Sequence, residues 1–123
     1  MTVLLVEDEA PVREVVRRTL EHAGYTVLEA SNPHEALRLL ERATCVVDLV
    51  LTDVMMPGMS GRLMAERLAI RYPGLRMLFM SGNAELVELL NGAEDIRGGI
   101  LSKPFTPAVL IERVSQALES RAG

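Results

Sequence analysis

Val3-Leu4-Leu5-Val6-Glu7-Asp8-Glu9-Ala10-Pro11 decides the fold of this chain. Four aliphatic residues run without a polar interruption, so the segment lacks the alternation of a strand with one wet face. A short unbroken apolar run suits a strand buried on both faces, as in a parallel sheet. Three acidic residues end the run, and Pro11 follows where a first helical turn tolerates its missing N–H. Val12, Val15, Val16, Leu20 and Ala23 then recur at helical spacing, and Gly24 supplies the stop. The unit is a buried strand, an acidic end and a helix.

The same unit repeats along the chain. Tyr25–Ala30 reads as a second strand, and Ser31 or Asn32 can cap a helix that Pro33 starts and Leu37 and Leu40 anchor to the sheet. Asp48–Asp53, built on Leu49, Val50 and Leu51, is a third strand, with Pro57, Gly58 and Gly61 marking the loop behind it. A helix from about Gly61 to Tyr72 closes at Pro73-Gly74, and Met77–Met80 forms a fourth strand. Ala84–Asn91 reads as a shorter helix with Leu86, Val87 and Leu90 on one face, while residues 92–99 carry no clear pattern. Ile100–Ser102 is a brief fifth strand ending at Lys103-Pro104. Thr106 caps a last helix with Pro107 at its first position and Leu110, Val114, Ala117 and Leu118 as its inner stripe. Five strands alternating with five helices predict one α/β domain over residues 1–123, a doubly wound parallel sheet with helices on two faces.

Composition sets the outer bounds. A chain of 123 residues fits one domain and buries enough apolar surface to need no disulfide or structural metal. Tyr25, Tyr72, Phe79 and Phe105 are its whole aromatic complement, so the core is expected to be aliphatic. The formal charge is −4 with no run of basic residues, which argues against nucleic acid as a partner. The single Cys45 excludes an internal disulfide, suits a reducing compartment and reads as a small buried apolar residue. No apolar run approaches the roughly 20 residues of a membrane span, and no charged leader precedes Val3. A soluble, cytoplasmic domain without membrane contact is expected. His22 and His34 occupy polar helix positions, with nothing to pair them as metal ligands.

Chemistry is expected at the strand ends, because open α/β sheets bind ligands outside their carboxyl edge. Glu7 and Asp8 end the first strand, Asp53 the third, Ser81 the fourth and Lys103 the fifth, while the second contributes no charge. Separately, a strand-end Asp is commonly a turn former, Glu7-Asp8 a favourable helix start, Lys103 a solvated charge and Ser81 a loop hydroxyl. Together, residues far apart in sequence converge. Three carboxylates at one edge repel each other and call for a cation, and hard oxygen ligands on loops suit Mg²⁺. With the metal bound, one carboxylate is spared as a nucleophile for aspartyl-phosphate chemistry. Lys103 then offers a point charge and Ser81 a hydroxyl to the phosphoryl oxygens.

Four segments carry a resemblance. V-L-L-V-E-D-E (3–9), L-T-D-V-M-M-P-G-M-S-G (51–61), M-S-G (80–82) and L-S-K-P-F (101–105) closely resemble the bacterial response-regulator receiver family, in order and interval, over essentially the whole chain. The resemblance implies a flavodoxin-like fold with strand order 2-1-3-4-5 and a phosphoryl group taken from a histidine kinase, with a downstream protein target. It also implies that Asp53 is the acceptor, that Asp8 and Asp53 ligate Mg²⁺ directly, and that Glu7 does so through water. The backbone carbonyl of Met55 would be a further ligand, and Ser81 and Lys103 would contact the phosphoryl oxygens. Such a domain catalyses only its own phosphoryl transfer and dephosphorylation. Two positions depart from the family: Glu7 stands where many members have Asp, and Ile100 where many have Tyr or Phe. Ile100 has no ring to swing, so movement on phosphorylation is expected around Ser81–Ala84 instead. The M-S-G form is similar to receivers of hybrid histidine kinases, which makes a phosphorelay with a phosphotransfer protein the alternative setting.

Other functions fit less well. A flavin carrier of the same fold needs a hydroxyl- and glycine-rich loop after the first strand, whereas Glu7-Asp8-Glu9 would repel the flavin phosphate. A phosphatase with an aspartyl-phosphate intermediate usually carries a second acid two residues beyond its nucleophile, where Met55 stands. An inactive docking receiver would lack a site residue, and none is missing. With a charge of −4 and no basic face, the chain is expected to give no gel shift with DNA at physiological salt. A shift that survives ordinary salt would contradict this.

Overall fold

The aliphatic runs become the middle of a sheet in the computed structural model, which describes residues 1–42, 46–54, 61–82 and 100–119. Strands β1 (Thr2–Val6), β2 (Thr26–Ala30), β3 (Leu49–Asp53), β4 (Arg76–Ser81) and β5 (Ile100–Ser102) pair in parallel. Their order is β2-β1-β3-β4-β5. Four helices are described: α1 (Ala10–His22), α2 (Pro33–Arg42), α3 (Gly61–Arg71) and α4 (Pro107–Glu119). The helix expected over Ala84–Asn91 lies outside the described residues, as do Cys45 and residues 92–99. No helix among the described residues is long and apolar enough to cross a membrane.

The pleat explains the unbroken apolar run of β1. Successive strand residues face opposite sides. Val3 and Leu5 pack with Val16 and Leu20 of α1 and with Leu110, Val114, Ala117 and Leu118 of α4. Leu4 and Val6 pack on the other side with Ala36 of α2 and with Met64 and Leu68 of α3. One strand thus feeds two cores, and a polar residue at any of the four positions would be buried in one of them.

Local chemistry sets the helix ends. Gly24, at φ +100°, closes α1: its N–H donates to Glu21 O, and the Tyr25 N–H donates to Leu20 O. These paired bonds need a residue in the left-handed region, which glycine adopts without a Cβ clash. Asn32 caps α2 by accepting the Glu35 N–H at 2.8 Å, and the Ser31 hydroxyl donates to the Glu35 carboxylate at 2.8 Å. Thr106 caps α4 through the Val109 N–H at 3.2 Å.

One expectation about packing is corrected. Val15 is 63% exposed, because the stripe of α1 runs through Val12, Val16 and Leu20 at a spacing of four and leaves Val15 beside it. On α2 Leu37 and Leu40 pack partly buried against the core as expected, and Ala36 is buried more deeply than either. Leu51→Ala, in the fully buried centre of β3, is expected to cost about 2–5 kcal/mol in urea unfolding. Ile70→Ala, at a side chain 86% exposed, should stay within about 0.5 kcal/mol of the native chain.

Candidate functional site

The strand order opens one edge of the sheet. The chain leaves β1 for β2 on one side and returns to β3 on the other, so the carboxyl ends of β1 and β3 splay apart at the switch point. Val6 is in register with Thr52, which sets Glu7 beside Asp53. Asp53 is in register with Met80, and Ser81 with Ser102, which brings Ser81 and Lys103 to the same edge from the far side. The Lys103 N–H donates to Ser81 O at 2.8 Å, and the Lys103–Pro104 peptide is cis.

Lys103 is the centre of the cluster. Its Nζ lies 2.6 Å from Asp53 Oδ2 and 2.8 Å from Glu7 Oε2. Glu7 is fully buried, and the side chains of Asp53 and Lys103 are 13% and 19% exposed. Asp8 is exposed, yet one oxygen of each of Glu7, Asp8 and Asp53 lies within 4.8 Å of the others. The backbone holds these side chains firmly: the Glu7 N–H donates to Ala30 O at 3.1 Å, and the Val54 N–H to Met80 O at 3.0 Å. Ser81 is buried at the end of β4. Met55 lies outside the described residues.

Glu7, Asp8, Asp53 and Lys103 are therefore brought together, with Ser81 on the adjoining strand end. Two features escape the sequence. The 2.8 Å pairing of Lys103 with Glu7 depends on side-chain reach across the ends of β3 and β4. Arg13, whose Nη1 donates to the Glu7 carbonyl at 2.7 Å, belongs to no motif. Only its place one turn into α1, six residues after Glu7, hinted at it.

Burial pushes the Glu7 carboxyl above its ordinary value of 4.5. The hydrogen bond and charge of Lys103 pull it down, the Asp53 charge pushes it up, and burial prevails. For Lys103 burial acts downward, but its bonds to Asp53 and Glu7 outweigh it, so the ammonium is held above its ordinary 10.5. Lys103 thus stays charged at neutral pH, and among the described residues one ammonium faces three carboxylates. The donor set fits a hard cation. Carboxylate oxygens on two neighbouring strand ends, with Asp8 open to solvent for added water, are ligands of the kind Mg²⁺ takes.

Comparison with known proteins agrees with this geometry. Residues 3–115 match the family model of the response regulator receiver domain, and the chain belongs to that family. It is 41% identical over 120 residues to the sensor kinase CckA of Brucella abortus, spanning 98% of this chain but 13% of that protein. The solved receiver domain of the hybrid histidine kinase CckA superposes with a TM-score of 0.80 at 34% identity, covering 97% of this chain and 100% of that one. The response regulator TrrA of Thermotoga maritima, solved in complex with Mg²⁺ and BeF, superposes with a TM-score of 0.79 at 27% identity, covering 94% and 97%.

The charge balance at Glu7 can be read directly. Its folded pKa lies above 4.5, so the contribution of Glu7 to the stability of the metal-free protein falls as pH rises from 4.5 through that folded value. Lys103→Met removes the hydrogen bond and the charge that lower it most, leaving only the Glu9 backbone N–H to act downward. The Glu7 carboxyl carbon, followed by NMR in chelator, is expected to titrate above 4.5 in the native chain and higher still in the variant. A downward shift in the variant would contradict this balance.

Proposed function

We propose that this receiver domain, residues 1–123, accepts a phosphoryl group on the Asp53 carboxylate in a Mg²⁺-dependent transfer from a phosphohistidine of a kinase or phosphotransfer protein. The observation that carries the reading is the Lys103 ammonium 2.6 Å from Asp53 Oδ2, in a cluster shared with Glu7 and Asp8. An Asp53 oxygen attacks phosphorus, the P–N bond of the donor breaks, and its electron pair returns to the imidazole nitrogen. Lys103 passes from the carboxylate to the new phosphoryl oxygens, and the Ser81 hydroxyl donates to another of them. Asp8 and Asp53 would hold Mg²⁺ directly, Glu7 would hold it through water, and the carbonyl of Met55, which lies outside the described residues, would add a further ligand. When bound, the ion supplies positive charge against the phosphoryl oxygens. The Mg²⁺–BeF complex of the Thermotoga relative supports this assignment.

The signal leaves through the backbone. Ile100 is buried in the core that contains Phe79, its partner in register on β4. Ser81 and Lys103 share a main-chain hydrogen bond, so drawing either inward moves both strand ends. The downstream protein target reads that movement, and the domain works in the cytoplasm. The 41% identity to part of a sensor kinase favours a second setting, the receiver segment of a hybrid kinase in a phosphorelay.

Incubation with a small phosphodonor and Mg²⁺ is expected to add one phosphoryl group by intact mass. Chelator and Asp53→Asn should each abolish the addition. Undiminished labelling of Asp53→Asn would overturn the assignment.

A further inference from the structure

A strong bond to the acidic loop comes from outside the acidic cluster. Arg13 extends from the first turns of α1, its side chain 22% exposed, and its Nη1 donates to the Glu7 carbonyl at 2.7 Å. On the other side of the same residue, the Glu7 N–H is held by Ala30 O of β2 at 3.1 Å. Both peptide groups flanking Glu7 are thereby fixed, one by the edge strand and one by Arg13. The carbonyl in question belongs to the Glu7–Asp8 peptide, whose plane sets the direction in which the Asp8 side chain leaves the chain.

Asp8 depends on that plane more than its neighbours do. Glu7 is buried and paired with Lys103, and Asp53 is held at the end of a central strand. Asp8 is exposed, and among the described residues its carboxylate has no hydrogen bond or ion pair of its own. Its approach to within 4.8 Å of the other two carboxylates is inherited from the backbone. Arg13 Nε lies 3.9 Å from Glu29 Oε1 on β2, a loose ion pair, and Arg17 Nε lies 3.3 Å from the same oxygen.

We infer that Arg13 is a positioning residue for the metal site: its hydrogen bond to the Glu7 carbonyl orients the Glu7–Asp8 peptide so that the Asp8 carboxylate faces Asp53. The inference rests on the assignment of Glu7, Asp8 and Asp53 to Mg²⁺. Ligand-orienting partners of this kind are worth about 10- to 100-fold in metal affinity. Electrostatics alone gives the opposite sign. Arg13 is a cation near a cation site, so removing its charge would tighten Mg²⁺ binding by Coulomb's law. The direction of the change therefore separates the two effects.

The test is a calorimetric Mg²⁺ titration of the chelator-treated chain, with unfolding in chelator recorded alongside. Arg13→Met keeps much of the aliphatic stem and is expected to raise the Kd for Mg²⁺ about 10- to 100-fold. Arg13→Lys keeps the charge and one donor but loses the fork, and is expected to fall between that variant and the native chain. Arg17→Met removes a charge of the same network without touching the loop carbonyl, and should bind Mg²⁺ close to the native Kd. A purely structural role would lower stability in chelator and leave the Kd unchanged. Native or tighter binding by Arg13→Met overturns the proposal; should that variant fail to fold, native or tighter binding by Arg13→Lys does the same. If the native chain binds no Mg²⁺, both readings fall, and the native titration shows that the fault lies in the metal assignment.

Discussion

Side-by-side strand ends force the Glu7 and Asp53 carboxylates toward one another, and the Lys103 ammonium between them is the interaction on which the carboxyl edge depends. Two ionised carboxylates whose oxygens lie within 4.8 Å repel by at least about 3 kcal/mol at an effective dielectric constant of about 20. A typical net hydrogen bond is worth only about 1 kcal/mol, so backbone donors alone do not offset such a pair. Charge must be supplied. Lys103 supplies one unit against three carboxylates, which leaves an edge that gains from any further cation. That imbalance makes the edge a site rather than a surface.

The two-sided core has one consequence for this chemistry. Because β1 and β3 are buried on both faces, their ends cannot drift independently, and the register of Val6 with Thr52 is transmitted to Glu7 and Asp53. The aliphatic interior thus acts as a jig for the carboxylates. A fully buried Glu7 is energetically unfavourable in isolation, since burial raises its pKa against the pull of Lys103.

The ion pairs outside the site serve a different purpose. Glu29 lies between Arg13 and Arg17, and Arg17 also meets Glu14 and Glu21 along α1. Partly exposed pairs of this kind contribute about 0–1 kcal/mol each and do little for stability. Their effect is directional. Glu29 lies within ion-pair reach of the Arg13 guanidinium, and Arg13 donates to the Glu7 carbonyl, so side chains link the outer edge strand to the acidic loop.

Much of this was legible along the chain because its causes are local. A strand buried on two faces needs an unbroken apolar run, and Val3–Val6, Leu49–Leu51 and Met77–Met80 supply one. Helix ends need partners within a few residues, and Asn32, Thr106 and Gly24 provide them. Strand-end polar residues follow from the same boundaries, so Glu7, Asp8, Asp53, Ser81 and Lys103 were readable as one edge before any coordinates. That Ala36 of α2 is buried more deeply than Leu37 or Leu40 was not readable, because it depends on how closely that helix can approach the sheet. Nor was the bond from Lys103 to Glu7, across 96 residues of sequence, or the bond from Arg13 to the Glu7 carbonyl. Local propensity determines the elements and their ends, whereas such contacts arise only when register and packing set distant strands and helices at fixed distances.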